Sequence, residues 1–81
     1  MFKFKDKLRL RVREGFSASG VMVQAGTIVH VDWINEIWEP ENRRYEITVA
    51  LTPVEPPGKT ILWGRSHPID DAYANQIFEL A

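Results

Sequence analysis

Thr27-Ile28-Val29-His30-Val31-Asp32-Trp33-Ile34-Asn35-Glu36-Ile37-Trp38 is the longest stretch of this chain with a single conformational preference. Its residues are mostly β-branched or aromatic, and these pack well on a pleated surface. No Gly or Pro interrupts it, so it reads as one long strand. Simple alternation puts Val29, Val31, Trp33 and Ile37 on one face, the expected core side. His30, Asp32, Ile34, Glu36 and Trp38 fall on the other. That second face mixes charge with large apolar groups, so Ile34 and Trp38 read as exposed apolar surface. Exposed aromatics rimmed by charge are a usual sign of a protein interface. A bulge within the strand would exchange the two faces.

Working outward, Gln24-Ala25-Gly26 reads as a tight turn with Gly26 at positive φ. Val21-Met22-Val23 is a short extended piece, and Glu14 to Gly20 reads as a loop. On the other side, Glu39-Pro40-Glu41-Asn42-Arg43 is a turn. Tyr45, Ile47, Val49 and Leu51 then alternate with polar or small residues as a half-buried strand. Pro53-Val54-Glu55-Pro56-Pro57-Gly58 connects to a strand over Lys59–Arg65. It has polyproline-ligand spacing, but between two strands a stiff connection is the simpler reading. Near the C-terminus, Ile69, Tyr73 and Ile77 are spaced by four, and Asp70 and Asp71 suit a helix start. A short helical turn over about Asp70–Asn75 and a closing strand over Ile77–Leu80 are expected.

The first strand is expected over about Lys7–Arg13, with a beginning as early as Phe2. There Lys3, Lys5, Lys7, Arg9, Arg11 and Arg13 alternate with Phe2, Phe4, Leu8, Leu10 and Val12, broken only by Asp6. The pattern predicts an apolar face and a row of cations. The chain has 81 residues and a net charge of −1, but six of its ten Lys and Arg lie in the first fourteen positions. That segment carries a balance of +4 and the remainder −5. The row is expected to meet this chain's own acids, such as Asp32, Glu36 and Glu46, or a second copy. A phosphate backbone is the alternative, with Trp38 or Trp63 as stacking platforms. The acidic remainder argues against a dedicated nucleic-acid binder.

At 81 residues and 44% hydrophobic composition, the expectation is one small domain spanning 1–81, with a thin core. With no cysteine, neither a disulfide nor a thiolate metal site is expected, and oligomerisation is the usual remaining source of stability. No apolar run approaches the roughly 20 residues that span a bilayer, and no signal peptide is recognised. A cytoplasmic protein without cofactor is expected.

Five short strands with short connections predict an all-β fold, a small closed barrel or sandwich. The order of its parts resembles an SH3-like barrel. Val23-Gln24-Ala25-Gly26-Thr27-Ile28-Val29-His30-Val31 is similar to the SH3 turn and following strand. Ile61-Leu62-Trp63-Gly64-Arg65 resembles the strand that bears the SH3 tryptophan, and Ala74–Leu80 resembles the helical turn and last strand. The resemblance implies a five-stranded SH3-like barrel with one short helical turn near the C-terminus. It does not carry over proline-groove binding, because the aromatic-rich opening motif is missing and Leu62 precedes Trp63.

Catalytic signals are thin. His30 and Asp32 share a strand face, and with His67 they make the one conceivable metal set, though nothing in the spacing demands it. No serine sits in a nucleophile elbow, and Gly15 and Gly20 lack the context of a phosphate loop. The expected function is a non-enzymatic protein-interaction or assembly module that self-associates. The expected contact residues are Arg9, Arg11, Arg13, Ile34, Trp38 and Trp63.

Overall fold

A computed structural model describes residues 2–66 and 72–81. Its elements are β1 (Arg9–Val12), β2 (Phe16–Ala18), β3 (Val21–Val23), β4 (Ile28–Glu39), a 3₁₀ turn (Pro40–Asn42), β5 (Arg44–Glu55), β6 (Ile61–Ser66), α1 (Ala72–Ile77) and β7 (Phe78–Leu80). The fold is all-β with one short helix. Five strands form an antiparallel sheet in the order β6-β5-β4-β1-β7, and β2 and β3 form a separate hairpin. The His67, Ile69, Asp70 and Asp71 readings lie outside the described residues.

The sheet is open among the described residues, which corrects the expectation of closure: β6 and β7 stand at its two ends with no ladder between them. Other segments cover the core instead. Phe2 and Phe4 lie buried in an extended arm before β1. The arm is held where the Phe2 N–H donates to Asn75 Oδ1 at 3.0 Å and Asn75 Nδ2 donates to the Phe2 carbonyl at 3.3 Å. The Phe4 ring then sits 5.4 Å from Trp63 and 5.8 Å from Phe78, within the range where aromatic pairs attract. From the sheet the core receives Leu10, Val12, Val29, Val31, Ile47, Val49, Leu51, Ile61, Trp63 and Phe78, and α1 adds Ala74 and Ile77.

Two local departures have identifiable causes. The segment expected as a loop over residues 14–20 contains β2 and the turn that joins it to β3. Ser19 and Gly20 link Ala18 to its partner Val21 at φ 52° and 72°. Two successive positive φ values are the signature of the type I′ turn, whose twist matches that of its strands. Gly26 takes φ 93°, as its turn requires, and its N–H donates to the Val12 carbonyl. The cationic segment is not one strand. A turn at Asp6-Lys7, with Lys7 at φ 68°, separates the Phe2–Phe4 arm from β1.

The hairpin of β4 and β5 sets the long axis. Each strand has 12 residues, or about 40 Å at 3.3 Å per residue. The molecule measures 41 × 23 × 21 Å. β1 pairs with β4 only at Ile28–His30, with hydrogen bonds continuing to Val31, so the distal half of the hairpin projects past the core.

Candidate interaction surface

The N-terminal cations are the strongest charge asymmetry in the sequence. Arg9 and Arg11 point outward from β1, while Leu10 and Val12 point inward. Arg11 Nη1 lies 3.7 Å from Glu79 Oε1, its neighbour across the β1–β7 ladder. Arg13 Nη1 donates to the Asn75 carbonyl at 3.1 Å. Arg9 stands opposite His30. Two of the three expected acids are engaged elsewhere: Glu46 pairs with Arg44, and Asp32 binds His30 and Thr52, while Glu36 lies on β4 beyond the stretch that pairs with β1. The acid that meets the row is therefore Glu79, on the last strand.

The tryptophans fall differently from simple alternation. The β4–β5 register shifts between Val31 and Trp33. Val31 pairs with Leu51 and Trp33 with Ala50, leaving Asp32 as the extra residue of a β-bulge. Every residue beyond it changes face. Trp33 and Ile37, expected in the core, are each 45% exposed on the outer face. Ile34, expected as exposed surface, is half-buried against the core. Trp38 shares that inner face but lies past the end of the core, 47% exposed. Trp63, expected at a contact surface, is buried between Phe4 and Phe78, because β6 faces it inward opposite Val49.

The result is an apolar outer face that sequence periodicity missed. Trp33, Ala50 and Leu62 form one row across β4, β5 and β6. Leu62 is half exposed, and Ala50 between them is fully buried although it faces away from the core. Two residues along β4, the next row is Asn35, Thr48 and Gly64, and Ile37 follows. A signal for this did exist. Asp32 is a poor strand former inside an apolar run, and such a residue is where a ladder is most readily interrupted.

Beside this face lies a polar chain. His30 Nδ1 lies 2.9 Å from Asp32 Oδ1, and the Thr52 hydroxyl donates to Asp32 Oδ2 at 2.5 Å. Thr60 Oγ1 is 2.7 Å from Thr52 Oγ1. The Thr52 hydroxyl, and then the His30 ring, hold the Asp32 carboxyl below its ordinary value of 3.8. The carboxylate accepts from Thr52 and so ties the bulge to β5, and Thr52 in turn meets Thr60 just before β6. His30 and Asp32 do meet as the sequence suggested, but no group of three metal-ligating side chains occurs among the described residues. A separate groove of about 550 Å³ is lined by Val21, Met22, Gln24, Pro56, Pro57 and Lys59. The proline segment closes this groove as a compact turn, with a cis Glu55-Pro56 bond and a Val54–Pro57 bridge.

The strand edges complete the surface. The Leu62 N–H points away from β5, donating to Ser19 Oγ at 3.0 Å. Alternation then turns the backbone groups of Ala50, Thr48 and Glu46 toward β4. Their partners Trp33, Asn35 and Ile37 turn theirs toward β5. The N–H and C=O groups of Ile34, Glu36 and Trp38 therefore face the opposite, open edge of β4. Upstream, Val31 points the same way and is satisfied by β1, through its N–H to the Leu8 carbonyl and its carbonyl from the Lys7 N–H. Among the described residues nothing pairs with the edge beyond it.

No protein-family model matches this chain, and comparison with curated proteins and with solved structures likewise gives no match. No helix among the described residues is long and apolar enough to cross a membrane.

Proposed function

We propose that this chain is a non-enzymatic protein-contact module that associates with copies of itself through the outer face of its projecting hairpin. The scaffold we assign is SH3-like. An excursion after the first strand, a tryptophan strand, a helical turn and a last strand follow one another in the order that resemblance implies. The lack of cysteine suits a reducing compartment such as the cytoplasm.

One observation carries the reading: Trp33, Ile37 and Leu62 stand 45–50% exposed on one outward sheet face, spread over two strands. Large apolar groups gathered in this way mark contact sites rather than ordinary surface. Aromatic residues are the groups interfaces favour. Sedimentation equilibrium up to about millimolar protein tests it, the upper range being set by the weak affinity of a small interface. We expect reversible self-association in the native chain and its loss in Trp33→Asp. The substitution is expected to leave the fold intact by circular dichroism, since Trp33 is outside the core. A native chain that stays monomeric, or a Trp33→Asp chain that associates as before, overturns the reading.

Single-stranded nucleic acid along the cationic strand is less well supported. Its cations are divided by the Asp6-Lys7 turn, Arg11 meets Glu79, and Trp63 lies in the core.

A further inference from the structure

From the geometry of β4 we infer that two copies of this chain join edge to edge through residues 32–39, antiparallel, about a two-fold axis at Asn35. The inference rests on the self-association just proposed and specifies how it is built.

An unpaired strand edge is a template for another strand. Natural edges are usually blunted by Lys and other charges, Pro, bulges, shortness or cover. The β4 edge from Asp32 to Glu39 contains neither Lys nor Pro, its bulge lies at the Asp32 end and Glu36 is the one charge within it, and among the described residues the backbone groups of Ile34, Glu36 and Trp38 have no strand beside them. It is bounded by β1 at Val31 and by Pro40, which has no N–H to donate.

These bounds limit the register. In an antiparallel two-fold pair, facing residues must lie on the same sheet face, so the axis passes beside one residue. Only axes at Asn35 or Glu36 use most of the open stretch, as 32–38 or 33–39. An axis at Glu36 sets that carboxylate directly opposite its own copy, and like charges in that position are destabilising. An axis at Asn35 opposes no like charges. It places Trp33 of each copy opposite Ile37 of the other on the outer face, and Ile34 opposite Glu36 on the inner face. Trp33 and Ile37 are equidistant from Asn35, so one rotation forms both apolar contacts. Ile34 and Glu36, which carry the free backbone groups, become the hydrogen-bonded pairs. Asn35 itself becomes a non-hydrogen-bonded pair with Cα atoms about 4.5 Å apart. A heterologous partner would not need that symmetry, which is why a second copy is the occupant.

The chain contains no cysteine, so single-cysteine variants report contacts without background. Cα atoms about 4.5 Å apart fall within disulfide range. With oxidised glutathione, Asn35→Cys is expected to form a covalent dimer on a non-reducing gel. Ile37→Cys is not, because its own copy lies four residues away along the strand. A second measurement needs no substitution. On raising the concentration of the native chain, the Ile34 and Glu36 amides should gain protection from hydrogen exchange, while Asn35, already bonded to β5, should not. If sedimentation shows a dimer but Asn35→Cys does not cross-link and those amides stay unprotected, the edge pairing is wrong and the contact-module reading survives. If the native chain is monomeric, both fall.

Discussion

Asp32 interrupts the ladder of β4, and its carboxylate then holds the interruption together through Thr52 and His30. Its ionisation should consequently appear in stability. The folded-state value lies below the ordinary 3.8, so the ionised carboxylate favours the folded state above that value. The contribution fades as pH falls through the lower, folded-state value, where the carboxylate protonates in both states. Because the group is largely exposed, the effect is modest. Comparing urea midpoints of the native chain and Asp32→Asn, the native chain should be the more stable at neutral pH. The gap should close as the pH is lowered below the ordinary value of 3.8. A gap that is constant over that range would assign the Asp32 contribution to packing rather than charge.

At the scale of the element, the bulge decides which side of β4 meets the core. With Asp32 as the extra residue, Val31 faces in and Trp33 faces out. Deleting Asp32 should therefore leave both faces where they are. It removes the bulge and two exposed hydrogen bonds, a loss of about 1–2 kcal/mol. The shortened chain is expected to unfold cooperatively in urea, with the same fraction of tryptophan emission open to iodide quenching. Outright unfolding would mean that something other than the bulge sets the faces. This also explains what could be read in advance. The strands, the Gly26 turn and the late helical turn follow from local chemistry such as β-branching, turn residues and alternation, all present within a few positions. The faces of Trp33, Ile34 and Ile37 depend on where β5 pairs with β4, which is a relation between segments some twenty residues apart in sequence. The burial of Trp63 has a related cause. Alternation on β6 allows either face, and only the Phe4 arm folding back onto Phe78 makes the Trp63 side the buried one. The Ser19-Gly20 turn was legible in principle, as a Ser-Gly pair between short apolar runs.

For the whole molecule, the question is how far the projecting hairpin depends on the core. Its Cα radius of gyration is 12.4 Å, against about 11.7 Å expected for a compact chain of this length. The excess fits a limb extending from a small body. Core residues on β5 end at Ile47, with Tyr45 packed partly against them. Trp38 through Arg44 contribute no buried side chain. Replacing Trp38–Tyr45 by Asn-Gly would join Ile37 to Glu46 through a two-residue type I′ turn, the connection that best suits strand twist. Those two residues already face each other across the ladder. The loss should be that of Tyr45, about 1–2 kcal/mol for a partly buried aromatic, since the exposed Arg44–Glu46 pair adds little. The trimmed chain is expected to keep a single cooperative urea transition and to show a smaller hydrodynamic radius. A chain that loses its transition would show that the distal hairpin supports the core. A chain that keeps it would show that the limb is carried on a body that folds without it.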